Sequence, residues 1–95
     1  MNGEGFVVKL LFAEDELAMS EAVMDILTYH NYSVDAVYNG NDALDYALVE
    51  KYDGIILDIM MPGMDGFTVL QKLRDSGVFT PVLLLTAKSE VENRI

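Results

Sequence analysis

Residues 52–66, YDGIILDIMMPGMDG, decide the fold of this chain. The apolar run 55–57 does not alternate with polar residues, which is typical of a strand buried on both faces of a parallel sheet. This run ends at Asp58, and a loop containing Pro62 and Gly63 follows. Open α/β sheets bind ligands at the edge where their strands end. The stretch therefore predicts a central strand that delivers Asp58 to a ligand-binding edge.

Predicted strands and helices alternate along the whole chain. The strands are predicted at 6–13, 34–38, 55–58 and 82–86, and the helices at 17–30, 42–51 and 66–76. This order, with short connections, predicts an α/β fold with parallel strands, right-handed crossovers and helices on both faces of the sheet. Asp35 interrupts the second strand, so that strand is predicted at an edge of the sheet.

Helical periodicity predicts which side of each helix faces the core. The predicted inward residues are Met19, Ala22, Val23, Ile26 and Leu27 in the first helix, Ala43, Leu44, Ala47 and Leu48 in the second, and Val69, Leu70 and Leu73 in the third. Residues 39–41, Asn-Gly-Asn, are predicted to form a turn and the cap of the second helix. Asp65 is predicted to cap the third helix, and Gly77 to end it in a left-handed conformation.

Length and composition limit the classes of function. The 95 residues fit one small domain, 1–95, in which residues 1–5 are expected to be a flexible lead-in. Sixteen acidic and six basic residues give a net charge of −10, which argues against direct nucleic-acid binding because phosphate contacts need Lys and Arg. The absence of cysteine excludes disulfides and is compatible with the cytoplasm. The apolar run 6–12 is too short for a membrane span.

Polar side chains follow three of the four predicted strands. Glu14 and Asp15 come after the first strand, Asp58 ends the third, and Thr86 ends the fourth. Because parallel strands end at one edge, we expect these side chains to lie together. Carboxylates so close would repel one another, and Mg²⁺ relieves that repulsion with the oxygen ligands it prefers.

This arrangement predicts phosphoryl transfer. Asp58 can attack a phosphoryl donor without a general base, and such transfer depends mainly on positioning and electrostatics. The Thr86 hydroxyl can donate to a phosphate oxygen on Asp58, a contact made only in the modified state.

These residues carry a family resemblance. The chain resembles the receiver domain of two-component response regulators in three motifs, FAEDE at 12–16, DIMMPGMDG at 58–66 and LTA at 85–87. The resemblance runs from about Lys9 to the last residue, and it implies a flavodoxin-like, doubly wound sheet with strand order 2-1-3-4.

The resemblance also implies the site residues and the partners. Asp58 would be the phosphoacceptor, and Glu14, Asp15, Asp58 and the Met60 backbone carbonyl would bind Mg²⁺. Thr86 and the small residue Ala87 would form the switch. The phosphodonor would be a sensor histidine kinase, and the stretch 83–88 resembles receivers joined to a winged-helix DNA-binding output domain, which would lie outside this chain.

The chain departs from the family pattern at its end. Complete receivers continue to a fifth strand, a Lys that pairs with the phosphoryl group, and a fifth helix; this sequence holds none of them, and Lys88 is not that Lys. On this basis we expect an incomplete sheet, impaired phosphotransfer and switching, and an exposed edge at 82–86. An edge with apolar residues on both faces invites a homo-oligomer or strand exchange.

Two alternatives remain at this point. The chain could be a truncated or engineered fragment that oligomerises without activity. It could also be a Mg²⁺-dependent phosphohydrolase with Asp58 as nucleophile, but phosphatases of the haloacid-dehalogenase type need a second Asp two residues later, and Met60 stands there.

Overall fold

The computed structural model describes residues 6–86. Its elements are β1 (Lys9–Ala13), α1 (Leu17–Tyr29), β2 (Ser33–Val37), α2 (Gly40–Val49), β3 (Gly54–Asp58), α3 (Gly66–Asp75) and β4 (Val82–Leu85). All strand pairs are parallel and the order is β2-β1-β3-β4, which confirms the predicted 2-1-3-4 topology. β2 is an edge strand, as Asp35 predicted. Residues 6–86 contain no fifth βα element.

The main core lies between the sheet and the helices α2 and α3. Strand residues Leu11, Ala13, Val37, Ile55 and Leu57 pack with Ala43 and Ala47 of α2 and Val69 and Leu73 of α3. The alternation of β1 turns Phe12 to the other face, where it is also completely buried. Because α1 contributes no residue to the α2–α3 core, we place α1 on the Phe12 face.

The predicted inward stripe of α1 is wrong at three of its five positions. Met19 is 46% exposed, Ile26 is 58% exposed and Ala22 is exposed, whereas Val23 and Leu27 are half-buried. The residue that α1 buries is Ser20, at 1% exposure. Periodicity identifies the apolar side of a helix, but it does not say how much of that side a neighbour covers. In residues 6–86, α1 shares its sheet face with no other helix.

The other two helices follow their predictions more closely. Val69 and Leu73 are buried and Leu70 is half-buried. In α2, Ala43 and Ala47 are buried and Leu44 packs against the core, but Leu48 is exposed, contrary to the prediction.

The predicted helix ends are present in the structure. The Asp65 side chain accepts a hydrogen bond from the Thr68 N–H at 2.7 Å, and the Asn39 side chain accepts one from the Asp42 N–H at 2.7 Å. Gly77, just after the C-cap of α3, has φ +80°, a conformation that glycine adopts without strain. These caps fix where α2 and α3 begin, and so fix the loops beside the ends of β2 and β3.

None of the helices in residues 6–86 is long and apolar enough to cross a membrane.

Candidate metal and phosphoacceptor site

Three carboxylates meet at the carboxyl edge of the sheet. β1 and β3 are parallel neighbours with Ala13 opposite Leu57, so the next residues along, Glu14 and Asp58, leave the sheet together. Asp15 follows Glu14. One carboxylate oxygen from each of Glu14, Asp15 and Asp58 lies within 4.8 Å of the others. The topology therefore gathers side chains that are more than 40 positions apart in the sequence.

Two of these carboxylates are nearly inaccessible to solvent. Asp58 is 2% exposed and Glu14 is 6% exposed, while Asp15 is exposed. Burial raises the pKa of Asp58, and the charge of Asp15 raises it further, against the Met60 N–H, which donates to Asp58 Oδ1 at 3.4 Å. Burial also raises the pKa of Glu14, and Asp58 and Asp15 add to it, although the Glu16 N–H donates to Glu14 Oε2 at 3.1 Å. The surroundings of Glu14 and Asp58 therefore disfavour the ionised form of both carboxyl groups.

No cationic side chain in residues 6–86 relieves this repulsion. Within the described part of the chain, the ion pair is Lys9–Glu50, at the opposite edge of the sheet, and no Lys, Arg or His pairs with the three carboxylates. Oxygen ligands, high negative charge and one solvent-facing member form the kind of donor set that suits Mg²⁺, which keeps several waters. The residues present therefore fit a hard divalent cation.

The loop after β3, residues 59–65, borders this cluster and is called the β3–α3 loop below. Met60, the predicted carbonyl ligand, lies in it two residues from Asp58. Its side chain is 59% exposed, whereas the neighbouring Met61 is 9% exposed and joins the core. The Met60 N–H donates to Asp58 Oδ1, so the Met60 backbone lies close to Asp58, and its role as a metal ligand stays a prediction.

The end of β4 reaches the same edge. Leu85 lies opposite Asp58 in the sheet register, and the Ile59 N–H donates to the Leu85 carbonyl at 2.8 Å. Thr86 follows directly and is half-buried. Its predicted partner in the switch, Ala87, lies outside the described residues. The switch roles of both residues remain predictions.

Two glycines beside the cluster were not recognised from the sequence as parts of the site. A Cβ on Gly66 would lie 2.6 Å from the Asp58 carbonyl oxygen, and the Gly66 N–H donates to the Ile59 carbonyl at 2.8 Å. Gly40, which the sequence assigned only to a turn and cap, contacts the β3–α3 loop from α2. A glycine in the first turn of a helix was the one available signal, and it does not reveal which distant loop approaches it.

The sequence matches the family described as the response regulator receiver domain over residues 10–95. The chain is 41% identical over 88 residues to the transcriptional regulatory protein DltR of Streptococcus agalactiae, a match that covers 93% of this chain and 39% of DltR. The chain thus spans about two fifths of the length of this curated relative.

Solved receiver and response regulator structures have the same fold as this chain. The receiver domain of Francisella response regulator 1452 superimposes with a TM-score of 0.85 at 30% identity, covering 92% of this chain and 72% of that one. The response regulator TrrA of Thermotoga maritima, solved in complex with Mg²⁺ and BeF, gives a TM-score of 0.81 at 34% identity and covers 87% of this chain and 72% of its own. With the family match extending over most of the sequence, this chain belongs to the response regulator receiver domain family.

Proposed function

We propose that this chain is a phosphoacceptor module that receives a phosphoryl group on Asp58. The observation that carries the proposal is the convergence of Glu14, Asp15 and Asp58 within 4.8 Å, with Asp58 at the end of a central strand. Glu14, Asp15, Asp58 and the Met60 carbonyl are the residues that would hold Mg²⁺. The ion would neutralise charge on the phosphoryl oxygens during transfer.

The reaction needs little from the protein beyond positioning. An oxygen of the Asp58 carboxylate attacks phosphorus and forms an acyl phosphate, while the bond from phosphorus to the donor breaks. The donor keeps that electron pair and takes a proton from water. The residue two positions after Asp58 is Met60, whose side chain cannot act as a general acid for external substrates. We therefore propose self-modification, and at most loss of the same phosphate by hydrolysis, as its only chemistry.

The proposed readout of phosphorylation is at the end of β4. The Thr86 hydroxyl would donate to a phosphoryl oxygen on Asp58, and Ala87, the small residue that follows it in the sequence, is proposed as the second residue of the switch. The parallel pairing of Asp58 with Leu85 supports this, because it brings the chain at Thr86 to the phosphorylated strand end.

The family supplies the proposed partners. We propose a phosphohistidine of a sensor histidine kinase as donor, in the cytoplasm. The relative DltR is a transcriptional regulatory protein of which this chain spans 39%, which supports the proposal of a DNA-binding output domain outside the 95 residues. We propose the winged-helix type for that domain because the stretch 83–88 resembles receivers joined to such domains. The net charge of −10 agrees with nucleic-acid contacts belonging to another domain.

Intact-mass measurement tests this function. The chain is incubated with acetyl phosphate and Mg²⁺, and we expect a mass increase of one phosphoryl group that disappears when Asp58 is changed to Asn. Asp45→Asn, an exposed aspartate of α2, is the matched control and should be modified like the wild type. Phosphate release without an adduct would instead indicate a phosphohydrolase, and an adduct retained in Asp58→Asn would refute the assignment.

The exposed side of β4 favours a second proposal, a homo-oligomer formed through the edge 82–86. Among the described strands β4 pairs only with β3, and Leu83 on β4 is 58% exposed beside a groove that Leu10 and Ile56 also line. Residues 82–85 contain no charge to oppose pairing with a second copy. Sedimentation should show an oligomer that Leu83→Lys dissociates. A monomer at every concentration would contradict it.

A further inference from the structure

The amino-terminal turn of α2 lies directly against the β3–α3 loop. The Gly40 N–H donates to the Pro62 carbonyl at 3.3 Å. A Cβ on Gly40 would overlap the carbonyl oxygen of Met64 and would lie 2.6 Å from its carbonyl carbon. Because the atoms it would strike belong to the backbone, no side-chain rotation could relieve the contact. Gly40 is buried, so the two backbones touch where solvent does not separate them.

A second contact joins the same two segments. Gly63, with φ +83°, lies so close to Asn41 that a Cβ there would be 2.9 Å from Asn41 Nδ2. Two neighbouring residues of α2 therefore contact the loop: Gly40 contacts Pro62 and Met64, and Asn41 contacts Gly63.

The β3–α3 loop is consequently held at two places. At its start, the Ile59 N–H donates to the Leu85 carbonyl and the Ile59 carbonyl accepts from the Gly66 N–H, both at 2.8 Å. At its other end, Pro62 and Met64 rest on Gly40. The exposed Met60 lies between these two points, and its N–H donates to Asp58 Oδ1 at 3.4 Å.

We propose that Gly40 is a positioning residue for the metal site. The absence of a side chain at Gly40 allows α2 to approach the loop backbone, and this approach sets the distance of the Met60 backbone from Asp58. A larger residue at position 40 would push Pro62 and Met64 away and would move Met60 with them. This inference rests on the proposed function, because it concerns the geometry of the same metal-binding residues.

Gly40→Ala tests the inference through magnesium dependence. Loss of the contacts that orient metal ligands typically lowers metal affinity by about 10–100-fold, so we expect Mg²⁺ affinity to fall by roughly tenfold or more. Since Asp58 itself is intact, phosphorylation by acetyl phosphate should recover toward the wild-type rate at saturating Mg²⁺. A purely structural role would lower the amount of folded protein without shifting the half-saturating Mg²⁺ concentration.

A matched pair of glycines keeps the test informative if Gly40→Ala does not fold. Gly63 and Gly77 have φ +83° and +80°, so an alanine is similarly strained at both. They differ in surroundings, because a Cβ on Gly77 meets nothing within 4 Å while one on Gly63 meets Asn41. Asn41 Nδ2 is the end of an exposed side chain that can turn away, so we expect Gly63→Ala to weaken Mg²⁺ binding by less than Gly40→Ala does. Gly77→Ala should leave Mg²⁺ binding unchanged.

The outcomes separate this inference from the proposed function. If the wild type neither binds Mg²⁺ nor accepts phosphate, the proposed function fails, and this inference fails with it. If the wild type does both and Gly40→Ala or Gly63→Ala matches the Mg²⁺ dependence of Gly77→Ala, only the positioning role of Gly40 is overturned.

Discussion

Acidic residues lie at both edges of the sheet, but their surroundings at the two edges differ. At the amino edge Glu50 and Asp53 have partners, and so does Asp35 in the middle of β2. Lys9 Nζ contacts Glu50 Oε1 at 2.9 Å, the Lys9 N–H donates to Asp53 Oδ2 at 2.8 Å, and the Tyr52 hydroxyl donates to Asp35 Oδ2 at 2.6 Å. At the carboxyl edge, Glu14, Asp15 and Asp58 face one another, and among residues 6–86 no cationic side chain pairs with them.

The difference distinguishes a structural group of charges from a candidate binding site. Burial at the amino edge comes with compensation, as for Tyr52, which is 7% exposed and whose pKa is raised by burial and then by its hydrogen bond to Asp35. Burial at the carboxyl edge comes with added negative charge, which costs free energy unless a ligand supplies the opposite charge. A candidate binding site is therefore recognised less by the number of its acidic residues than by their lack of partners within the fold.

The largest expected effect is the loss of Mg²⁺ affinity when one aspartate of the carboxyl edge is replaced, compared with the same replacement at the amino edge. Asp15→Asn removes a charge from the cluster, and a unit charge about 4 Å from an ion is worth several kcal/mol near a protein surface. We expect Mg²⁺ affinity to fall roughly a hundredfold or more. Asp53→Asn, at the amino edge, should leave it unchanged. Equal losses in the two variants, measured by calorimetry, would erase the distinction between the edges.

The next effect belongs to the amino edge alone. Tyr52→Phe leaves the half-buried Asp35 carboxylate without its hydroxyl donor, and hydrogen bonds to charged groups contribute about 1.5–3 kcal/mol. We expect the free energy of unfolding to fall by about that amount, with Mg²⁺ affinity intact. Tyr46→Phe, at a tyrosine that is 45% exposed, is the control and should show no change in denaturant unfolding.

A third effect is the pH dependence of the magnesium-free protein. A carboxyl whose pKa is raised by folding binds more protons in the folded state than in the unfolded state between the two pKa values. In that interval the free energy of unfolding falls as the pH rises. For Glu14 and Asp58 the interval begins near the ordinary values of 4.5 and 3.8 and ends at their raised pKa values.

Thermal unfolding without metal should therefore show stability decreasing across that interval, and Glu14→Gln should flatten the decrease. Saturating Mg²⁺ should restore the stability lost at the higher pH, because it binds the deprotonated site. A stability that rises with pH across the interval in the metal-free protein would contradict the raised pKa values.

The smallest effect is expected from Glu50→Gln. Lys9 and Glu50 are 36% and 49% exposed, and ion pairs in contact with solvent contribute little and are screened by salt. The unfolding midpoint should shift less than in Tyr52→Phe, and the shift should shrink further in high salt. A large loss of stability would mean that the amino edge depends on this pair more than its exposure suggests.

Much of the fold was predictable because local and long-range signals agree. Continuous apolar runs placed β3 and β4 in the sheet, a run interrupted only by Lys9 placed β1 there, and the charge of Asp35 correctly placed β2 at an edge. Asp65 and Gly77 marked the limits of α3. What the sequence could not supply was coverage, because the exposure of Met19, Ile26 and Leu48 depends on which neighbours lie over each helix and not on the helix's own period.

The site divides in the same way. The sequence shows that the strand ends carry Glu14, Asp15 and Asp58. Parallel pairing of the strands implies that these side chains meet. The hydrogen bond between Tyr52 and Asp35 was not predicted, because nothing local links a residue before β3 to one in β2. The contact of Gly40 with Met64 was missed for the same reason, since close approach of two backbones has no signature in either segment.

A magnesium titration followed by amide chemical shifts tests the contrast between the edges most directly. We predict saturable shifts with one dissociation constant at Glu14, Asp15, Ile59 and Met60, and no shifts at Glu50 and Asp53. Shifts of equal size at both edges, or none that saturate at the carboxyl edge, would contradict the assignment of this acidic cluster as the metal site.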